Sequence, residues 1–163
     1  MTTIDPVTAI MSLALFGVFT IPFIYYYQKN RKKEATLRAK LMQLANSMGG
    51  KSLEIETWRH QYALGLDSEN KQLYYLQSEP SEQTQSISLA EVKKVQIHRK
   101  NREIEASEGK RNVLDEISLE IQWISSGKKP VYLEIYNQEN FSDLMGETVI
   151  ADKWVELLKK HIN

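Results

Sequence analysis

At 163 residues, with 21 Lys and Arg balanced by 21 Asp and Glu, the chain has room for one small domain and an appendage, and carries no net charge. It contains no cysteine, which excludes a disulfide framework, a thiolate metal site and a cysteine nucleophile. The charge is unevenly spread: Gln28 to Lys40 holds six Lys or Arg and one Glu, whereas Lys51 to Asn163 holds 15 Lys or Arg and 19 Asp or Glu. A basic collar followed by a mildly acidic domain suits a membrane junction and disfavours a nucleic-acid reader, which concentrates positive charge on its folded part.

No residue between Asp5 and Lys29 is charged, and Val7 to Tyr27 reads VTAIMSLALFGVFTIPFIYYY. At ~1.5 Å per residue this run is long enough to cross a hydrocarbon core of roughly 30 Å, so residues 1–28 are expected to be a single-pass transmembrane anchor. Tyr25, Tyr26 and Tyr27 suit the headgroup layer, and Lys29, Arg31, Lys32 and Lys33 follow directly as membrane-interface residues. The leader MTTID has no Lys or Arg, so the charge difference places the N-terminus outside and the C-terminal domain on the cytoplasmic side of the cell's inner (plasma) membrane. A cleaved signal peptide fits less well, because the leader is acidic and the run ends in tyrosines instead of a small-residue cleavage site.

Residues 29–50 read as a basic juxtamembrane helix that continues from the membrane. Leu37, Leu41, Leu44 and Met48 recur at steps of 4, 3 and 4, and Gly49-Gly50 supplies a stop. Such a stripe serves self-association or a partner helix, or else packs on its own domain or the membrane surface. Fewer than three heptads favours the second pair of readings.

From residue 51 to 163 the periodicity changes to two. Tyr62, Leu64 and Leu66 alternate, LDSENK supplies a turn, and Leu73 to Leu76 resumes as the partner strand of a hairpin. SISLAEVKKVQIH carries Ile87, Leu89, Val92, Val95 and Ile97 with a phase slip near Ala90 and Glu91, expected to be a bulge or a break into two strands. Ile117, Leu119, Ile121 and Trp123 form a strand buried on one face, which turns through Ser125-Ser126-Gly127 into Val131, Leu133 and Ile135. Between these halves KNREIEASEGKRN is highly charged, and residues 99–112 are expected to be a long exposed loop. The chain closes with an amphipathic helix on which Ile150, Trp154, Leu157, Leu158, His161 and Ile162 share a side.

A turn-rich hairpin (YALGLDSENKQLYYL), then ISLAEVKKVQI, then a late hairpin ending in LEIYN and a closing ADKWVELLKKHI resembles bacterial pleckstrin-homology-like (PH-like) domains over roughly Trp58 to Ile162. The resemblance implies a mainly β (α+β) fold, an antiparallel β-sandwich or partial barrel capped by a C-terminal helix, that serves as a binding or assembly module. Phosphoinositide-binding members carry several basic residues around the first hairpin turn. Here that turn is Asp67, Ser68, Glu69, Asn70 and Lys71, and its two carboxylates would repel a phosphate.

No catalytic, cofactor or metal site is expected. His60, His98 and His161 are isolated in sequence, Gly-x-Ser-x-Gly is absent, and so is a glycine-rich phosphate loop. Lys93, Lys94, Arg99, Lys100 and Arg102 are a possible interaction patch, although Glu91, Glu103, Glu105 and Glu108 dilute its field. Trp58, Trp123 and Trp154 are expected in the core. The resulting expectation is a non-enzymatic binding or scaffolding module with a protein partner at the inner membrane face. Anionic-lipid sensing is the alternative, and an enzyme with an unrecognised site the weaker one.

Overall fold

The computed structural model describes residues 5–50, 53–106 and 109–162. The first element is a single helix of 42 residues, α1 (Pro6–Ser47), whose start is set by Asp5 accepting a hydrogen bond from Val7 N at 3.2 Å and by Pro6 in the first turn, where its missing N–H is not needed. Its apolar N-terminal part is long and apolar enough to cross a membrane, and none of that window is buried against the rest of the chain. The helix runs unbroken through the collar and ends at Met48, where Gly49 takes φ 83° and Gly50 N donates to Ala45 O at 2.9 Å.

Two antiparallel sheets follow. The first is a meander of β1 (Glu54–Trp58), β2 (Tyr62–Asp67), β3 (Gln72–Gln77) and β4 (Gln83–Ser88) in that spatial order. A single 3₁₀ turn, Leu89–Glu91, leads into the second sheet of β5 (Val92–Ala106), β6 (Gly109–Trp123) and β7 (Val131–Asn137). The chain ends in α2 (Glu147–Lys159). The class is therefore mixed α+β.

The main core lies between the sheets and under α2, where Tyr62, Leu64, Leu73, Tyr75, Ile117, Leu119, Ile121, Leu133, Ile135, Trp154 and Leu158 are buried. A second core forms on the outer face of the four-stranded sheet, where Leu37, Leu41 and Ala45 of α1 cover Ala63, Tyr74 and Leu76. The helical stripe thus packs on its own domain, through Leu37, Leu41 and Ala45, while Met48 stays exposed. Covering both faces leaves every residue of β2 buried, and the outer face takes Ala63 and Gly65 because helix and sheet approach closely there.

Both expected hairpins form, as β2–β3 and β6–β7, and the phase slip near Ala90 is the 3₁₀ turn that divides β4 from β5. Two expectations are corrected. Residues 99–112 are not an exposed loop: apart from Ser107 and Glu108, which lie outside the described residues, they belong to β5 and β6, paired from Arg99↔Ile117 to Ala106↔Gly109. Backbone pairing and cross-strand charge, such as Lys110 Nζ to Glu103 at 3.0 Å, support this arm, so it lacks the apolar alternation that marks a strand in sequence. The hairpin through Asp67 to Lys71 is also not the first, because β1 precedes it and pairs with β2 from Glu54↔Leu66 to Trp58↔Tyr62.

Candidate functional site

The first hairpin turn is Arg59-His60, and both residues lie in the left-handed region, with φ 51° and 54°. Turns of this kind prefer Asn-Gly, and two side-chained residues there cost about 1–2 kcal/mol each. Contacts from two other elements hold the turn. Arg59 Nε donates to Glu147 Oε1 of α2, and its guanidinium lies 3.5 Å from Asp143 and 4.6 Å from the Phe141 ring centroid. Glu147 is 2% exposed and also accepts from Met145 N at 2.6 Å. Burial pulls the Arg59 guanidinium down, but the hydrogen bond and charge of Glu147, with Asp143, outweigh it and leave its pKa above the ordinary value. On the other side His60 Nδ1 stands 3.2 Å from Glu34 Oε1 of α1, within ion-pair range.

Between that turn and α1 lies a cleft of about 300 Å³, lined by Lys29, Lys32, Lys33 and Lys40 with His60, Ser78 and Glu79. Lys33 Nζ meets Glu79 at 3.2 Å and Lys40 pairs with Glu82, both on the β3–β4 turn. The interface residues are therefore divided. Lys29, Lys32 and Lys33 line the cleft, Arg31 lies 5.7 Å from the Tyr27 ring centroid, and Tyr25, Tyr26 and Tyr27 are exposed.

The basic residues of β5 are not brought together. Lys93 is passed over at a register shift, Lys94 and Lys100 share the outer face six residues apart, roughly 20 Å along a strand, and Arg99 turns to Asp152 of α2 at 4.0 Å. Arg102 Nε lies 3.4 Å from Asp115. Lys100 and Arg102 line a polar cleft of about 340 Å³ with Asp115, Glu116, Asn137, Gln138 and Glu139. On the outer face Gln96 and Gln122 each donate to Glu120 at 2.8 Å, and these bonds hold its carboxyl below the usual carboxylate range.

A buried polar cluster joins the sheets at the same end. Glu134 accepts from Tyr62 Oη at 2.6 Å, from Gln77 Nε2 at 3.2 Å and from Asn137 Nδ2 at 2.9 Å. Burial, with the Glu134 hydrogen bond second, pushes the Tyr62 hydroxyl up, and burial does the same to Tyr75, whose Oη donates to Glu134 O at 2.9 Å. Both phenols act as donors that fix the sandwich. Trp58 and Trp154 are core residues, each with its indole N–H bonded, to Ile135 O at 2.8 Å and to Glu56 at 2.6 Å.

Among the described residues no three His, Asp or Glu side chains converge as a metal site. Sequence reasoning passed over Arg59, Glu147 and Glu134, because each acquires its role from partners 57 or more positions away. Comparison with known proteins finds no matching family model, no matching curated protein and no matching solved structure.

Proposed function

We propose that this protein is a membrane-anchored, non-enzymatic binding module, a PH-like domain held on the cytoplasmic face of the membrane by α1, where it gathers a protein partner. The observation that carries the reading is the continuity of α1. One helix supplies both an apolar stretch left uncovered by the described residues and the Leu37, Leu41 and Ala45 face that completes the domain. Two sheets of four and three antiparallel strands with a closing helix support the PH-like reading. Its basic first turn does not revive a phosphoinositide site, since Arg59 is paired with Glu147 and the Glu34 carboxylate stands beside His60.

The partner surface is the β5–β6 arm. β6 pairs with β7 only from Glu116 onward, so Asn101–Ala106 and Gly109–Leu114 form a two-stranded ribbon with open edges, a template for strand addition. Anchoring raises the effective concentration of even a weak contact of this kind. The test is crosslinked affinity purification of the full-length protein from its own membranes, beside a variant with residues 101–114 replaced by Asn-Gly. Loss of a stoichiometric partner with the arm supports the reading; the same partner held by both forms overturns it.

A second reading, anionic-headgroup binding, is favoured by the lysine-lined cleft beside the collar. Each cation near an anionic surface contributes about 1 kcal/mol, so this contact weakens steeply with salt, whereas pairing along the arm does not. Orientation is read by adding single cysteines to the cysteine-free chain. Thr3→Cys labels with an impermeant maleimide on intact cells and Ser126→Cys does not, and the reverse pattern would invert the topology.

A further inference from the structure

Three turns and the root of the β5–β6 arm form the end of the domain nearest the collar. The Arg59-His60 turn meets Glu34, the β3–β4 turn meets Lys33 through Glu79, the segment before α2 and the first residue of α2 are tied to Arg59 through Asp143 and Glu147, and the arm leaves where Glu116 pairs with Lys100 and Asn137. The opposite end is marked by Asn70 Nδ2 donating to Gly49 O at 3.4 Å, past the far end of α1, and by Leu89 N donating to Lys71 O. On the collar end Leu144, Met145 and Val149 are 44%, 74% and 68% exposed. Met145 also borders a shallow apolar cleft of about 360 Å³ with Trp58, Phe141 and Ile150.

We infer that Leu144, Met145 and Val149 rest in the interfacial layer of the same bilayer that α1 crosses, so that the domain meets its membrane at a second point. The inference rests on the anchor reading. Glu34, which touches the turn, is seven residues beyond Tyr27, about 10 Å along a helix, which sets an untilted turn only a few ångströms outside a headgroup layer roughly 5–7 Å deep. A span tilted by the usual ~20° lowers one flank of the base further toward the acyl boundary. Charge selects lipid over a second copy of the chain. Lys29 and Lys32 flank this end and attract anionic headgroups, whereas a two-fold contact through the patch sets the same lysines against each other.

The test places an environment-sensitive fluorophore on Met145→Cys, and on Ser126→Cys at the opposite end, in the full-length protein in phosphatidylcholine–phosphatidylglycerol vesicles. Met145 makes no side-chain bond that the fold depends on, and it is the most exposed side chain of the patch. A blue-shifted emission quenched by spin-labelled lipid is expected at 145 and not at 126, unchanged when the protein is diluted in lipid. Water-like emission at 145 in protein that survives a carbonate wash overturns the inference and leaves the anchor standing. A blue shift that disappears on dilution assigns the patch to a second copy and also overturns it. Protein stripped by carbonate removes the anchor reading and this inference together.

Discussion

Leu41 of α1 lies so close over Gly65 of β2 that a Cβ built on the glycine would stand 2.8 Å from Leu41 Cδ2. Helix and sheet approach closely here, and a side chain at position 65 would have to displace Leu41. Gly65→Val is expected to destabilise the full-length protein in detergent by about 1–3 kcal/mol through overpacking. Leu41→Ala is expected to cost about 2–5 kcal/mol through the cavity it leaves, and the double variant less than the sum. Denaturant unfolding checks both, and a Gly65→Val midpoint equal to wild type would mean that α1 does not dock there.

Trp154 is fully buried and donates its indole N–H to Glu56 Oε2. Trp154→Ala removes the largest side chain that α2 brings to the core, with an expected loss of about 3–5 kcal/mol. Trp154→Phe keeps much of the packing and drops the hydrogen bond, and should lose clearly less. An unchanged melting curve for the alanine variant would remove the capping role of α2.

Arg59, largely covered, pairs with the buried Glu147, and removing Arg59 strands that carboxylate. Arg59→Ala is expected to cost about 3–5 kcal/mol, while Arg59→Met with Glu147→Leu recovers most of that loss. His60→Gly is expected to raise stability, because relief of a left-handed conformation outweighs a half-exposed contact with Glu34. Thermal unfolding of the three variants is the measurement, and a lower midpoint for His60→Gly would show that the Glu34 contact dominates the turn.

Glu120 supplies a pH signature. Its folded pKa is lowered, first by the Gln96 hydrogen bond and then by that of Gln122, so its contribution is present above the unfolded carboxylate value and is lost as pH falls through the folded one. The stability gap between wild type and Glu120→Gln should therefore shrink as pH drops from neutral into and below the carboxylate range. Unfolding curves collected across that window test the sign, and a gap that widens on acidification would rule out the assignment.

Elements whose burial follows one period were legible in the sequence. β6 alternates Ile117, Leu119, Ile121 and Trp123 against polar neighbours, and α2 repeats at helical spacing, so both were recognised as elements. β1 was passed over: in EIETW most positions are only partly buried, and its turn carries Arg-His in place of the expected glycine or asparagine. The outer half of the β5–β6 arm was hidden because its stabilisation comes from backbone pairing, which composition does not record. The Arg59–Glu147 joint was invisible for a different reason, since 88 positions separate residues that meet only after the sandwich closes.

The unbroken course of α1 makes the domain a lever instead of a tethered ball. Between the tyrosines and the docked Leu37 face no glycine or proline supplies a joint; Pro22 lies on the N-terminal side of that stretch. Any reorientation of the apolar segment is then carried into the sandwich as a rotation. The β5–β6 arm, rooted where Glu116 pairs with Lys100 and Asn137, turns with it, with no hinge to absorb the motion.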